Sequence, residues 1–170
     1  MLIEGKVWVF GENIDTDVIL PGKYLVVTDP VELGKHAMEG LDPSFPKRVA
    51  KGDIVVAGRY FGCGSSREQA PVALKYSGVA AVVAESYARI FYRNALNIGL
   101  PVLEIENTKR IAKGGERIRI DVETGEIRNL KTGEVFRAKP IPDFMLEIIR
   151  EGGLIGKIKK QVAEGKLTDQ

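Results

Sequence analysis

The sequence predicts a layered α/β fold, because apolar strands and helical segments alternate along most of its 170 residues. The alternation is clearest between residues 53 and 105, where three strand-like runs are separated by two stretches with helical spacing. Connections are short, and no internal repeat, linker or low-complexity segment interrupts them. We therefore expect one α/β domain over residues 1–170. The alternation alone is equally compatible with an ordinary doubly wound sheet.

The N-terminal elements carry their own local signals. Residues 6–10, KVWVF, form an apolar run typical of a strand. Residues 28–40 predict a helix, with Asp29 as its N-cap, Pro30 at its first position and Glu32 closing a capping box.

The middle of the chain contains a strand, a glycine turn and a helix in succession. Residues 53–58 predict a short buried strand, and a helix is expected from Ser66 to about Tyr76, with Gly78 as its stop. A proline at position 71 would remove a hydrogen bond from a helix begun at Ser66, so we expect an irregular first turn.

A second unit of the same kind follows directly. Residues 79–85 predict a strand, Ser86 is placed to cap a helix over residues 87–99, and residues 100–105 predict a further strand.

The last third of the chain has a different pattern of polar and apolar residues. Residues 113–139 alternate polar and apolar side chains and contain two Thr-Gly turn pairs, which predicts a small antiparallel meander. From Pro142 onward we expect two helices, broken at Gly152 and Gly153. The second of these helices places three apolar residues on one face: Ile155, Ile158 and Val162.

Charge and hydropathy exclude several classes of protein. The 25 lysine and arginine residues are nearly balanced by 23 acidic ones, and both kinds are spread along the chain, so nucleic acid is not an expected partner. There is no basic-then-apolar leader, and no apolar run approaches the ~20 residues of a membrane span. We expect a cytoplasmic protein that does not bind membranes.

The chain has one cysteine, Cys63, and one histidine, His36. This set is too small for a zinc site of the usual composition or for an iron–sulfur cluster held by several thiolates, so any such metal must lie elsewhere. A single histidine in a different segment also argues against a Ser–His–acid triad with Ser65. We expect Cys63 to pack beside the turn and His36 to be a surface or packing residue.

The turn YFGCGSSREQAP, residues 60–71, is the strongest candidate for a binding site. Gly62 and Gly64 allow backbone angles at which successive N–H groups point into one concavity, and such a concavity attracts anions. The alternative is ordinary helix capping by the paired serines in an S-x-x-E or S-x-x-Q pattern.

Three stretches of the sequence resemble the small subunit of 3-isopropylmalate dehydratase, in the aconitase superfamily. They are residues 11–25 (GENIDTDVILPGKYL), residues 58–104 with the element GCGSSRE, and the meander. The combination of a glycine nest, two serines and a charged pair in fixed order makes the second stretch specific. The resemblance covers most of the chain and implies a swivelling β/β/α domain that packs over the substrate site of a larger partner.

The resemblance also implies an activity and its partners. Such subunits take part in a hydro-lyase reaction that interconverts 2- and 3-isopropylmalate by dehydration and rehydration, in leucine biosynthesis. This chain would bind no cofactor, and a [4Fe-4S] cluster is expected on a separate large subunit, in a heterodimer or heterotetramer. A homo-oligomer of the isolated chain stays open. Alternatives are the small subunit of homoaconitase, that of a methylmalate (citraconate) hydratase, and a non-catalytic anion-binding regulatory module.

The site residues follow from the same resemblance. Ser65 matches the family's catalytic base, which removes a proton next to a carboxylate, and Arg67 matches its substrate-carboxylate ligand. Ser66 and Gly64 are expected to complete the substrate contacts. Glu68 is expected to be a structural partner of the turn.

Two further elements have open roles. Asp15, Thr16 and Asp17 match the family's Asp-Thr-Asp element near the subunit interface, and loop capping is the alternative. Arg89 and Arg93 lie four residues apart on one helix, where the family context suggests that one of them orders the site and a surface charge pair is the default.

Val26 and Val27 bear on substrate choice. In relatives that accept a third carboxylate, the corresponding loop presents an arginine, whereas these valines would offer an apolar wall to an isopropyl group. The alternative is that the valines pack inside the domain.

Overall fold

The computed structural model describes residues 1–165. Within these residues, seven strands form one mixed sheet: β1 (Leu2–Val9), β2 (Ile54–Val56), β3 (Ala81–Ala84), β4 (Val102–Glu104), β5 (Arg117–Asp121), β6 (Glu126–Asn129) and β7 (Val135–Arg137). The strand order is β4-β3-β2-β1-β5-β6-β7. One domain over residues 1–170 stays a prediction, because residues 166–170 lie outside the described part.

Seven α-helices accompany the sheet in the described residues: α1 (Thr16–Ile19), α2 (Pro30–Gly34), α3 (Phe45–Arg48), α4 (Gln69–Ser77), α5 (Arg89–Asn97), α6 (Asp143–Arg150) and α7 (Leu154–Ala163). Two short 3₁₀ turns lie at Gly22–Tyr24 and Thr108–Arg110. None of the helices in residues 1–165 combines the length and the apolar character needed to cross a membrane.

The long strand β1 joins the parallel and antiparallel halves of the sheet. Its last residues, from Val7 onward, pair in parallel with β2, and the parallel pairing continues through β3 to β4. Its first residues pair antiparallel with β5, which continues through β6 to β7. At the junction, a Cβ on Gly5 would lie 1.9 Å from the carbonyl oxygen of Gly52, so only glycine fits. The predicted meander is confirmed as β5–β7.

Burial differs between the two halves of the sheet. Every residue of β2 and β3 is buried, as expected for parallel strands covered on both faces. Strands β5 to β7 alternate between buried and exposed positions, as expected for a sheet with one face in water.

The predicted helix over residues 28–40 is shorter than expected. Asp29 caps it, because its carboxylate accepts from the N–H of Val31, but α2 ends at Gly34. Glu32 does not close a capping box; it pairs with Lys35 at 2.7 Å. The chain turns away because Met38 takes a left-handed φ of 58° and donates its N–H to Ile19.

Two other helix starts were predicted too early. Helix α4 begins at Gln69, with Glu68 at the cap position, and not at Ser66. The proline at position 71 is then the third helical residue, where a backbone N–H has no intrahelical partner to lose. Helix α5 begins at Arg89 after Ala88, and not after Ser86, whose hydroxyl instead accepts from the N–H of Tyr60 at 2.8 Å.

The C-terminal helices confirm the predicted break. Gly152 and Gly153 have φ values of 74° and 129° and separate α6 from α7. Of the predicted apolar face of α7, Ile155 and Ile158 are exposed and Val162 is half-buried.

Candidate functional site

The carboxyl ends of β1, β2 and β3 lie side by side in the parallel sheet, and the loops that follow them meet there. The N–H of Gly62 donates to Ile14 and the N–H of Thr16 to Cys63, both at 2.8 Å, which joins the first loop to the second. The N–H of Phe61 donates to Ser86 at 3.0 Å, which joins the second loop to the third. Ligands of open α/β sheets bind at this end of the strands.

A cavity of about 230 Å³ opens where the three loops meet. Its lining combines hydroxyl, guanidinium, amide and apolar groups: Thr16, Tyr60, Gly62, Gly64, Ser65, Ser66, Arg67, Ala88, Arg89, Ile90, Phe91 and Asn94. The predicted residues Gly64, Ser65, Ser66 and Arg67 are therefore together in one concavity.

The two serines do not cap a helix. Both side chains are exposed, and neither hydroxyl has a hydrogen-bond partner among residues 1–165. The backbone N–H groups of residues 64–67 also donate to no acceptor in the described chain. Four free N–H groups and two free hydroxyls in one turn are the groups that hold an anion.

The first turn of α5 forms another part of the cavity. Ala88, Arg89, Ile90 and Phe91 all line it, and no side chain caps this helix. The N-terminus of a nine-residue helix carries partial positive charge, so an anion in the cavity is stabilised there. The guanidinium of Arg89 has no acidic partner in residues 1–165, whereas Arg93 lies outside this cavity.

Arg67 is held in place by the Asp-Thr-Asp loop. Its Nη1 donates to Asp17 Oδ1 at 2.6 Å and to the carbonyl oxygen of Leu20 at 3.0 Å. No described residue accepts from Nε or Nη2, which form the side of the guanidinium that suits bidentate binding of a carboxylate. The hydrogen bond from Arg67 lowers the pKa of Asp17, so this carboxyl stays ionised at pH values below its ordinary pKa.

The other two residues of that loop contact the glycine turn. The buried Thr16 hydroxyl donates to the carbonyl oxygen of Ser65 at 2.8 Å. Asp15 caps α1 by accepting from the N–H of Asp17, so loop capping is present. Its carboxylate also packs on Gly64, where a Cβ would lie 2.5 Å from Asp15 Oδ2. Loop capping and ordering of the site therefore occur together.

An aromatic cluster packs against the glycine turn next to the cavity. Phe61, Tyr87 and Phe91 contact one another, and the single O–H of Tyr87 lies within hydrogen-bond distance of two backbone carbonyl oxygens. Gly62 has a φ of 81°, and a Cβ there would lie 2.2 Å from Phe91 Cγ. The turn therefore approaches the cluster as closely as only glycine permits.

Cys63 does not fit a cluster ligand. It is the chain's single cysteine and is half-buried, and burial raises the pKa of its thiol, with the nearby Asp15 adding to the effect. A thiolate is the form that binds metal, so this environment opposes ligation.

Several predicted residues lie outside the cavity. Val26 is 86% exposed on the loop that follows the Asp-Thr-Asp element. Val27 packs against the core, in agreement with the alternative that it packs inside the domain. The prediction that Glu68 is a partner of the turn is wrong, because its side chain is exposed and makes no hydrogen bond within residues 1–165.

Sequence reasoning did not single out five lining residues: Tyr60, Ala88, Ile90, Phe91 and Asn94. Ile90 and Asn94 are four residues apart and share one face of α5, but helical spacing from Arg89 leads to Arg93 and not to them. Tyr60 lies in the candidate turn, but no local pattern gave its side chain a role in binding.

Comparison with known proteins identifies the family. A family model described as the aconitase C-terminal domain matches residues 30–108. A 3-isopropylmalate dehydratase small subunit from Pyrobaculum aerophilum is 58% identical over 159 residues, which cover 94% of this chain and 98% of the relative. An isopropylmalate/citramalate isomerase small subunit from Methanocaldococcus jannaschii is 53% identical over 97% of this chain and 98% of its own length.

One relative has a different name. The methanogen homoaconitase small subunit from Methanothermobacter thermautotrophicus is 54% identical over 99% of this chain and 98% of its own length.

A solved structure agrees with the fold. The crystal structure of 3-isopropylmalate dehydratase from Methanocaldococcus jannaschii superposes with a TM-score of 0.92 at 46% identity, covering 97% of this chain and 98% of that one. The predicted swivelling α/β fold is thereby confirmed. The chain belongs to the aconitase superfamily, in the family of 3-isopropylmalate dehydratase small subunits.

Proposed function

We propose that this chain is the small subunit of an isopropylmalate isomerase and supplies Ser65, Ser66, Gly64 and Arg67 to an active site shared with a large subunit. The reaction is the interconversion of 2- and 3-isopropylmalate in leucine biosynthesis. The observation that carries the proposal is the cavity at the carboxyl ends of the parallel strands, which gathers two free hydroxyls, free N–H groups and two guanidinium groups.

Ser65 is proposed as the base that takes the proton next to a substrate carboxylate. A neutral hydroxyl is a poor base, and no histidine or carboxylate in residues 1–165 accepts its proton. Its alkoxide must therefore be stabilised by positive surroundings. The free N–H groups of the turn, the N-terminus of α5 and the two guanidinium groups supply those surroundings.

Arg67 is proposed to hold a substrate carboxylate. Asp17 and the carbonyl oxygen of Leu20 occupy Nη1 and fix the plane of the guanidinium. The unoccupied Nε and Nη2 then present a preoriented fork, which lowers the entropy lost when a carboxylate binds. Ser66 adds a hydroxyl donor in the same cavity.

The iron–sulfur cluster is assigned to the large subunit. The single half-buried cysteine with a raised pKa does not provide the donor set that a cluster needs. The role of this chain is then to bind the di-acid and to move the proton at Ser65 Oγ.

Substrate choice is not decided by identity, because relatives named for isopropylmalate and for homoaconitase are 53% and 54% identical to this chain. We favour isopropylmalate because the loop after Tyr24 and Leu25 exposes Val26 and no cation, so a third carboxylate placed at this loop would be unpaired and would lose free energy.

The test is reconstitution with the large subunit from the same organism. The complex should convert isopropylmalate faster than homoaconitase substrates, and the isolated small subunit should convert neither. Isopropylmalate dehydration by the isolated chain would contradict the composite site. Equal use of both substrate classes by the complex would contradict the substrate assignment.

A further inference from the structure

Tyr60 has an unusual backbone at the mouth of the cavity. Its φ is 60°, in the left-handed region. Four non-glycine residues among residues 1–165 have a positive φ, and two of them are asparagines, which tolerate it. A bulky aromatic residue does not, so the conformation of Tyr60 stores strain. Strain of this kind persists where the surroundings fix it, and it concentrates at functional sites.

The surroundings of Tyr60 do fix it. Its N–H donates to the Ser86 hydroxyl at 2.8 Å. On one side, Arg59 pairs with Glu12 at 3.1 Å, and on the other, Phe61 donates its N–H to Ser86 at 3.0 Å. The third loop of the site therefore accepts hydrogen bonds from the N–H groups of both Tyr60 and Phe61, and these bonds hold the strained residue in place.

The side chain of Tyr60 is about half exposed to solvent. It is 52% exposed, lines the cavity with Ser65 and Arg67, and its hydroxyl has no hydrogen-bond partner in the described chain. Ile90 lines the same cavity and is 51% exposed. Two large apolar surfaces thus stand beside a set of carboxylate-binding groups.

We propose that Tyr60 and Ile90 are specificity-determining residues that receive the apolar substituent of the hydroxy di-acid. This inference rests on the proposed function and deepens it. A di-acid whose carboxylates contact the guanidinium groups and the free N–H groups must place its remaining substituent against the rest of the lining. Alkyl groups gain from contact with the ring and the isoleucine, and a further carboxylate there would lack a partner. The strain at Tyr60 is the consequence of presenting the ring at this position.

The experiment uses the complex with its large subunit and two substrates, 3-isopropylmalate and a methyl-substituted malate. Tyr60→Gly removes the ring and accepts a φ of 60° without strain. We expect the ratio of kcat/KM for isopropylmalate to that for the methyl analogue to fall about tenfold, and the Tm of the isolated variant to rise. Tyr60→Phe keeps the ring and should keep the parent's ratio.

Tyr76→Ala is the matched control. Tyr76 is 50% exposed, almost the same as Tyr60, but it lies near the far end of α4 and outside the cavity. Its ratio of kcat/KM values should equal the parent's.

Two results would overturn the inference. A substrate ratio in Tyr60→Gly within twofold of the parent would show that the ring does not select the substituent. Equal losses on both substrates, together with weaker binding of the large subunit, would make Tyr60 a subunit contact. If the parent complex acts on neither acid, the proposed function falls as well. An active parent with an unchanged ratio removes only this inference.

Discussion

The two halves of the sheet differ in burial and in their contribution to the site. In the parallel half, β1 to β4 with α4 and α5, the central strands β2 and β3 are buried along their whole length, and the loops that follow them reach solvent. In the antiparallel half, β5 to β7, alternate residues face water along the whole strand. Yet no residue of β5 to β7 lines the site cavity. Exposure along a strand provides a surface, whereas the converging ends of buried strands provide a concavity with helix N-termini aimed at it.

The largest expected difference concerns glycines in left-handed turns. In Gly62→Ala, in the parallel half, alanine must adopt a φ of 81° and its Cβ would lie 2.2 Å from Phe91 Cγ. In Gly133→Ala, in the antiparallel half, alanine must adopt a φ of 77°, but its Cβ would lie in open space. We expect losses of about 3–5 kcal/mol and about 1–2 kcal/mol in the free energy of unfolding, measured by urea denaturation. Similar losses would mean that packing under the turn is looser than its geometry indicates.

Arginine replacement separates a site cation from a surface cation. Arg67→Lys keeps the charge but loses the planar fork, so kcat/KM of the reconstituted complex should fall about 10²-fold. Arg119→Lys is the matched change in the antiparallel half, where Arg119 pairs with Glu4 at 3.5 Å in solvent. Its kcat/KM should stay within twofold of the parent's. Full activity of the Arg67 variant would show that a point charge suffices.

The two arginines of α5 differ in their position relative to the cavity. Arg89→Gln removes a cation from the cavity, so KM for the di-acid should rise about tenfold, since a charge-assisted contact is worth on the order of 1.5 kcal/mol. Arg93→Gln, one turn away and outside the cavity, should leave KM unchanged. The default interpretation, a surface charge pair, predicts the same KM for both variants.

The smallest effect is the pH dependence of the Asp17 ion pair. The folded-state pKa of Asp17 is lowered from 3.8 by Arg67, so the pair stabilises the fold at pH values above 3.8. That contribution is lost as the pH falls through the lower, folded-state pKa. The Tm difference between the parent and Asp17→Asn should therefore be constant from pH 7 to pH 5 and shrink below pH 3.8. A difference that grows on acidification would mean that the pair does not stabilise the fold.

Local signals in the sequence located most of the elements. Glycine turns, apolar runs and Asp29 as a cap predicted the strand and helix units of the parallel half and the meander. The short helices α1 and α3 and the first residues of β1 were not predicted, because they carry little pattern of their own. The starts of α4 and α5 were placed three and two residues early, next to residues that tertiary hydrogen bonds hold. These bonds run from the Thr16 hydroxyl to the Ser65 carbonyl and from the Tyr60 N–H to the Ser86 hydroxyl.

The site was predictable in its parts but not in its assembly. The Asp-Thr-Asp element and the glycine turn were both recognised, but the 2.6 Å contact between Asp17 and Arg67 joins residues 50 positions apart. Only the strand order brings them together. The left-handed backbone of Tyr60 likewise depends on the Ser86 hydroxyl, 26 residues away, and no local pattern encodes it.

We propose that the end of the parallel half carries a serine base, and removal of the Ser65 hydroxyl separates that base from the rest of the site. Ser65→Ala leaves the fold intact, because this hydroxyl makes no hydrogen bond in the described chain. We expect kcat of the reconstituted complex to fall about 10³-fold or more with unchanged affinity for the large subunit. Ser77→Ala, which removes a hydroxyl bound only to the Leu74 carbonyl on α4, should keep the parent's kcat. A Ser65→Ala complex with kcat within tenfold of the parent would contradict the account and assign the proton to another group.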